Sequence, residues 1–332
     1  MDTATLRTKP TSSLTRGYLI CLAGTVFLAF TAIFIRYLTV QFGLPPLVLA
    51  FWRDLFLVAA LGLVFLLFRP NLFRISRNQI GFFAAYGLVL ALFNSLWTVS
   101  VALNGAAVST VLAYSSVAYT AILGRWIFAE RLDRVKIFVI LLSLAGCVLV
   151  AGAYNLAALQ LNLLGIIAGL LTGLGYAGYT LMGRASAKRQ IYPWTAMLYS
   201  FGFATMILLV FNFLPGTSAS DLGSPNLLWL GSSLVGWAVL ISLAVVPTMG
   251  GFGLYMVSLT YLPASVANLI ATLEPVITAG LAYILLGEQL TRLQLLGSAL
   301  ILASVVILRI NEGRASHTTA IEKSSALDLS DN

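Results

Sequence analysis

The sequence predicts an all-α integral membrane protein of ten transmembrane helices, arranged as two inverted five-helix repeats. Three observations lead there. Of 332 residues, 60% are hydrophobic and 9% charged, with a mean hydropathy of +0.96, whereas soluble domains carry roughly a quarter of their residues as charges. The apolar residues fall into blocks near the ~20-residue length that crosses a hydrocarbon core of about 30 Å. Finally, residues 106–134 recur at 264–292 without a gap.

The spacing predicts helices over 17–38, 46–68, 79–102, 106–128, 135–154, 163–184, 193–214, 237–262, 265–287 and 291–310. Pro45–Pro46 precedes the second, Gly105 the fourth and Pro193 opens the seventh, while Pro263 separates the eighth from the ninth. Backbone polar groups in lipid need internal partners, so these blocks are helices. Their continuous apolarity is wrong for a membrane barrel, whose strands alternate. The connection 215–236 is the longest. Its Leu227–Leu230 run either lies along the interface or forms a short buried hairpin. Residues 1–16 lack a signal-peptide core and cleavage site, so they read as an N-terminal segment before a retained first helix. Residues 311–332, rich in Ser, Thr and charge, read as a disordered solvent tail.

The repeat sets the organisation. Glu130 and Glu288 fix an offset of 158, at which Ala106/Ala264, Val108/Val266, Ala113/Ala271, Thr120/Thr278, Leu132/Leu290 and Arg134/Arg292 are identical. The first helices of each half match at an offset of 148, through Gly17/Gly165, Ala29/Ala177, Arg36/Arg184 and Pro45/Pro193. The 215–236 connection supplies the difference. The halves are therefore 17–154 and 163–310. Each has an odd number of spans, so the second enters the bilayer opposite to the first.

Basic residues report orientation. Arg7, Lys9 and Arg16; Arg69, Arg74 and Arg77; Arg131, Arg134 and Lys136; Arg184, Lys188 and Arg189; and Arg309, Arg314 and Lys323 all fall on one side. Arg36 and Arg292 fall on the other, and Arg53 and Arg125 lie within spans. Both termini are thus expected in the cytoplasm, with the chain in the cell membrane. The net charge of +8 is spread over these connections rather than gathered on a stripe, which argues against nucleic-acid binding. Cys21 and Cys147 sit apart inside spans, and the single histidine, His317, lies in the tail. Zinc-hydrolase and His-dependent triad chemistry in the bilayer are thereby disfavoured. No cofactor or metal is expected, and no phosphate-cradling loop appears.

Ionisable residues within spans are costly and mark pathways or structural pairs. Arg53 and Asp54 adjoin in the second span, and Glu274 precedes Pro275 in the ninth. Proline lacks an N–H and crowds the carbonyl four residues back, at Ala271, so the helix should kink there. A carboxylate at this break can bind a cation, take a proton or accept a substrate amine; equally, it can be a structural group bonded to a neighbouring helix or to Arg53. Helical spacing puts Ala267, Ala271, Glu274 and Thr278 on one stripe, whose repeat partners are Ser109, Ala113, Ser116 and Thr120. Such stripes suit close helix packing or a cavity wall. Asn268 and Thr272 adjoin the stripe. Asn94 and Trp97, Tyr176 and Tyr179, and Tyr255 complete a set of aromatic and polar residues suited to a midplane cavity. Glu130 and Glu288 read as capping groups at the membrane surface.

At these residues the chain resembles the drug/metabolite transporter superfamily, specifically its EamA-type members. The resemblance spans roughly 17–310 and rests on Phe51-Trp52-Arg53, Ala264-Ser265-Val266-Ala267, Leu273-Glu274-Pro275-Val276, Leu286-Gly287-Glu288 and Phe128-Ala129-Glu130-Arg131-Leu132. It implies an alternating-access carrier with a central cavity, commonly exporting amino acids, other metabolites or drug-like compounds. Two departures matter. Ser116-Val117 stands where the second half has Glu274-Pro275, so the halves offer different ligands, and Asp54 directly follows Arg53. The expected partners are a small organic solute and the lipid bilayer, with protons or a counter-solute as coupling species; monomer and homodimer remain open. A passive channel shares the span count, and a membrane enzyme would need a catalytic cluster that the sequence lacks.

Overall fold

The computed structural model describes residues 10–153, 162–214, 216, 222–286 and 291–330. The described residues are helical and contain no strand: α1 (Pro10–Phe42), α2 (Pro46–Phe68), a 3₁₀ turn (Pro70–Phe73), α3 (Arg77–Tyr114), α4 (Ser116–Phe128), α5 (Arg134–Val150), α6 (Leu163–Lys188), α7 (Pro193–Asn212), α8 (Leu234–Leu243), a π-helical segment (Ala244–Gly250), α9 (Gly251–Tyr261), α10 (Ala264–Ala271), α11 (Glu274–Leu286) and α12 (Arg292–Ser330). Among them, nine stretches are long and apolar enough to cross a membrane. α5, at 17 residues, is shorter than these.

Local chemistry sets the boundaries. Pro46 and Pro193 open α2 and α7 in the first turn, where the missing N–H has no helical partner to lose. Ser76 and Gln79 form a capping box before α3. Asp133 and Thr291, equivalent at the repeat offset of 158, cap α5 and α12 by accepting from Lys136 N and Gln294 N. Ala129 ends α4 in the left-handed region, at φ 55°.

Helical bonding continues through the Gly105 region, but the axis reverses there. The hydroxyls of Ser100 and Ser109 lie 2.8 Å apart, whereas nine residues of straight helix would separate them by about 13 Å. The two arms of α3 lie along α6 in opposite senses: Asn104 and Phe93 meet Gly165 and Gly175, while Leu112 and Ser115 meet Gly169 and Gly173. The actual interruption falls at Ser115. The eighth span, expected as one helix over 237–262, contains the π-helical segment, because Pro247 removes a bond inside it. α12 continues to Ser330, through a stretch without proline.

Packing joins the two halves at matching points. A Cβ on Gly17 would stand 2.7 Å from the Cβ of Tyr261, and one on Gly165 would stand 2.7 Å from the Cβ of Leu103. These contacts coincide under the two repeat offsets. Small residues are what permit such close helix approach. α5 runs antiparallel beside α12: Asn311 bonds Asp133 at one end, Gln294 bonds Val150 O at the other, and Gly146 and Gly297 abut between.

The outer surface is apolar, with Phe68 73%, Trp126 77% and Leu234 84% exposed. Several basic residues gather at one end, where Lys136 pairs with Glu312, Arg309 bonds Thr15 and covers Tyr18, and Arg16 covers Tyr261. At the opposite end, Trp52 and Trp229 bond Leu227 O and Phe42 O. Leu227–Leu230 is thus a turn folded onto α1 and α2, with Leu230 buried and Leu228 exposed. The first part of the 215–236 connection lies largely outside the described residues.

Candidate functional site

Two interrupted helices form the centre. The α3–α4 break at Ser115 and the α10–α11 break at Thr272–Leu273 are repeat-equivalent, so Ser116 and Glu274 each open a new helix. The expected kink at Glu274-Pro275 is therefore present as a full interruption. The Ala271 carbonyl, which Pro275 cannot bond, lies 3.5 Å from the Tyr114 hydroxyl. The same hydroxyl donates to Glu274 Oε2 at 3.2 Å. Tyr114 comes from the first half and Glu274 from the second.

A second bridge lies alongside. Ser116 Oγ donates to Asn268 Oδ1 at 3.0 Å, and Asn268 Nδ2 donates to Thr180 Oγ1 at 3.2 Å. Thr180 donates its own proton to Tyr176 O, so in its 2.9 Å contact with Tyr255 the phenol is the donor. All four side chains are fully buried. The Tyr176 ring stacks on Phe93 at 5.2 Å and stands 6.4 Å from Tyr255. Hydroxyls, an amide and a carboxylate thus meet aromatic faces where both helices are broken. Ser143 Oγ donates to Thr272 Oγ1 at 2.8 Å on the adjoining side.

The remaining expected residues divide. Tyr179 belongs to a neighbouring aromatic cluster, 5.1 Å from Tyr86 and 5.5 Å from Phe252 between ring centres. Arg53 and Asp54 pair with each other, Nε to Oδ1 at 3.0 Å, leaving the buried Asp54 Oδ2 without a hydrogen-bond partner. Arg53 therefore does not hold Glu274. Asn94 is half-buried with its Nδ2 unbonded, and no described contact ties Trp97 to the network. The small-residue stripe of the ninth span packs on α1, through Cys21 Sγ to Ala267 O and Thr278 Oγ1 to Ala29 O. The α6 glycines likewise serve packing.

Glu130 is a cap, and its helix belongs to the other half. Its carboxylate accepts Ala264 N at 2.6 Å, Ser265 N at 3.1 Å and the Ser265 hydroxyl at 2.5 Å. Gly124 leaves room for it: a Cβ there would stand 3.0 Å from Glu130 Oε2. Glu288 lies outside the described residues. Tyr114 and Thr180 are the network members that sequence reasoning missed. Tyr114 is the repeat partner of Thr272 and stands two residues before the Ser116 departure, while Thr180 lies one turn beyond Tyr176.

An apolar-sided helical bundle with a polar network on paired helix breaks defines a multi-pass membrane protein built around an interior site. A family model described as the EamA-like transporter family matches residues 15–152 and 163–310. The chain belongs to that family, whose business is transmembrane transport. An uncharacterized transporter of Archaeoglobus fulgidus is 31% identical over 224 residues, 66% of this chain and 74% of the relative. A probable amino-acid metabolite efflux pump of Salmonella typhimurium is 26% identical over 286 residues, covering 82% and 89%. A solved crystal structure shares the fold, with a TM-score of 0.75 at 14% identity over 91% of this chain and 99% of its own.

Proposed function

We propose that the protein is a secondary transporter of the cell membrane that exports a small organic metabolite, such as an amino acid or drug-like compound, by alternating access. Ten spans form two halves, 17–154 and 163–310, of opposite orientation. The matched Gly17–Tyr261 and Gly165–Leu103 contacts support the inversion. So does α5, which runs beside most of the length of the membrane-crossing part of α12 and so acts as the tenth span. The clustering of basic side chains at one end supports cytoplasmic termini.

The observation that carries the reading is the pair of bridges between halves, Tyr114–Glu274 and Ser116–Asn268, at repeat-equivalent helix breaks. Discontinuous helices at a repeat interface are where secondary transporters bind their solutes. Glu274 is the polar anchor or protonation site, with a proton or counter-solute as coupling species. Asn268, Ser116, Tyr176 and Tyr255 form the wall around it, and Asn94, Trp97, Tyr179, Arg53 and Asp54 are further candidates outside the bridged network. Stacked Tyr176 and Phe93 suit a solute with an apolar part. The efflux named for the Salmonella relative supports outward movement. Glu130 holds the basic end shut while it caps α10, and must let go for the site to open there.

Counterflow in proteoliposomes loaded with unlabelled amino acids tests this. A carrier accelerates entry of the labelled solute, and Glu274→Gln reduces that flux at equal protein content. Entry indifferent to the internal solute would indicate a pore, and flux unaffected by Glu274→Gln would remove that residue from the mechanism.

A further inference from the structure

At the basic end, the last turns of α4 and α6 enclose a surface recess of about 330 Å³. Ile127, Phe128, Leu181, Met182 and Ala185 make it apolar, and Lys188 and Arg189 complete its lining. Both cations are exposed, yet both are held in place. The Lys188 ammonium lies 4.4 Å from the Phe128 ring centre, and the Arg189 guanidinium 4.4 Å from that of Phe82. An aromatic face orients a cation without cancelling its charge. Among the described residues no acidic side chain lines the recess; Glu130, two residues past the end of α4, is turned away onto Ala264 and Ser265.

We propose that this recess binds an anionic phospholipid, with its acyl chains along the apolar wall and its headgroup phosphate between Lys188 and Arg189. The flank of a membrane-crossing bundle meets lipid, and this position lies where the helices leave the bilayer. The complement of two preset, uncancelled cations above an apolar wall is a molecule with a negative head and a hydrocarbon body. Basic sites between transmembrane helices select such headgroups.

The full chain, purified in neutral detergent, is titrated with phosphatidylglycerol or phosphatidylcholine of identical acyl chains, and bound lipid is counted by native mass spectrometry. Phosphatidylglycerol binds in preference. Lys188→Gln combined with Arg189→Gln weakens it about thirty-fold, leaving phosphatidylcholine unchanged. Ala185→Trp, which fills the wall and keeps both charges, also lowers phosphatidylglycerol binding and decides the matter should the double variant not fold. Equal binding of the two lipids, or displacement of phosphatidylglycerol by millimolar inorganic phosphate, overturns the proposal. So does a dimer that the double variant dissolves, since it assigns the recess to a second copy.

Discussion

Removing the Glu130 carboxylate should unlatch the basic end of the bundle. Glu130→Ala leaves Ala264 N, Ser265 N and the Ser265 hydroxyl without their acceptor, at a site where Glu130 is only 9% exposed. The hydroxyl can turn elsewhere, but the two amides cannot. Each buried donor left unbonded costs about 1–3 kcal/mol, and the loss of a negative charge from the first turn of α10 adds to that. About 3 kcal/mol therefore comes off the closed arrangement, a shift on the order of a hundred-fold in its population. Val266, fully buried just inside the latch, is the reporter. In a background lacking Cys21 and Cys147, Val266→Cys is labelled with a membrane-impermeant maleimide from the basic-end side. Glu130→Ala should raise its labelling rate roughly a hundred-fold, and Glu130→Gln, which keeps one acceptor oxygen, by about ten-fold. Leu57→Cys, fully buried in α2, should stay protected. An unchanged Val266→Cys rate in folded protein refutes the latch. Equal gains at both cysteines mean that Glu130 only stabilises the fold.

Three further outcomes are expected. Tyr114→Phe removes the donor shared by Glu274 and Ala271 O and should cost about 1–2 kcal/mol in unfolding, much of it absent when Glu274→Ala is already in place; additive losses in that double-mutant cycle would mean the bond contributes nothing. Burial alone would raise the Asp133 carboxyl, but bonds from Asn311 and the Lys136 amide, with the Lys136 charge, hold it below the ordinary carboxylate range. Its folded value lies under its unfolded one, so its stabilisation is present above about pH 4 and is lost as pH falls further. The melting difference between wild type and Asp133→Ala, about 1 kcal/mol near neutrality, should therefore shrink in acid; a constant difference contradicts the assignment. Gly297→Leu should disrupt the α5–α12 pair, because even a Cβ there would stand 2.7 Å from Gly146 O and from Leu149 Cβ; a melting temperature within 1–2 °C of wild type, roughly a fraction of a kcal/mol, would contradict that packing.

The helical class and the repeat were legible because both are written in single residues: apolar blocks, prolines at helix starts, and identities at a constant offset. The kink at Pro275 was legible for the same reason, since a missing N–H is a local fact. Its matching interruption at Ser115 was hidden, because Ser116-Val117 carries no proline and is broken through tertiary contacts with α6 and α10. Partners across the halves were likewise unreadable. Tyr114 has an ordinary sequence context, and only packing brings its hydroxyl to Glu274. Glu130 was legible as a cap, but not which helix it caps, for that depends on how the halves meet. Arg53 and Asp54 are adjacent in sequence, and their pairing was one of the outcomes open at that stage. For Asn94 and Trp97, the helix face was readable, but not whether that face joins the network.

Arg134 and Arg292 are repeat partners, both exposed, one residue past the caps of α5 and α12. Each is replaced singly by cysteine in a background without Cys21 and Cys147, and labelled with an impermeant maleimide in intact cells and in inverted vesicles. Opposed halves put Arg134→Cys within reach only in the inverted vesicles and Arg292→Cys only in intact cells. Reaction of both cysteines from one and the same side would mean that the two quintets of helices are not flipped, and the carrier would have no shared central site to alternate around.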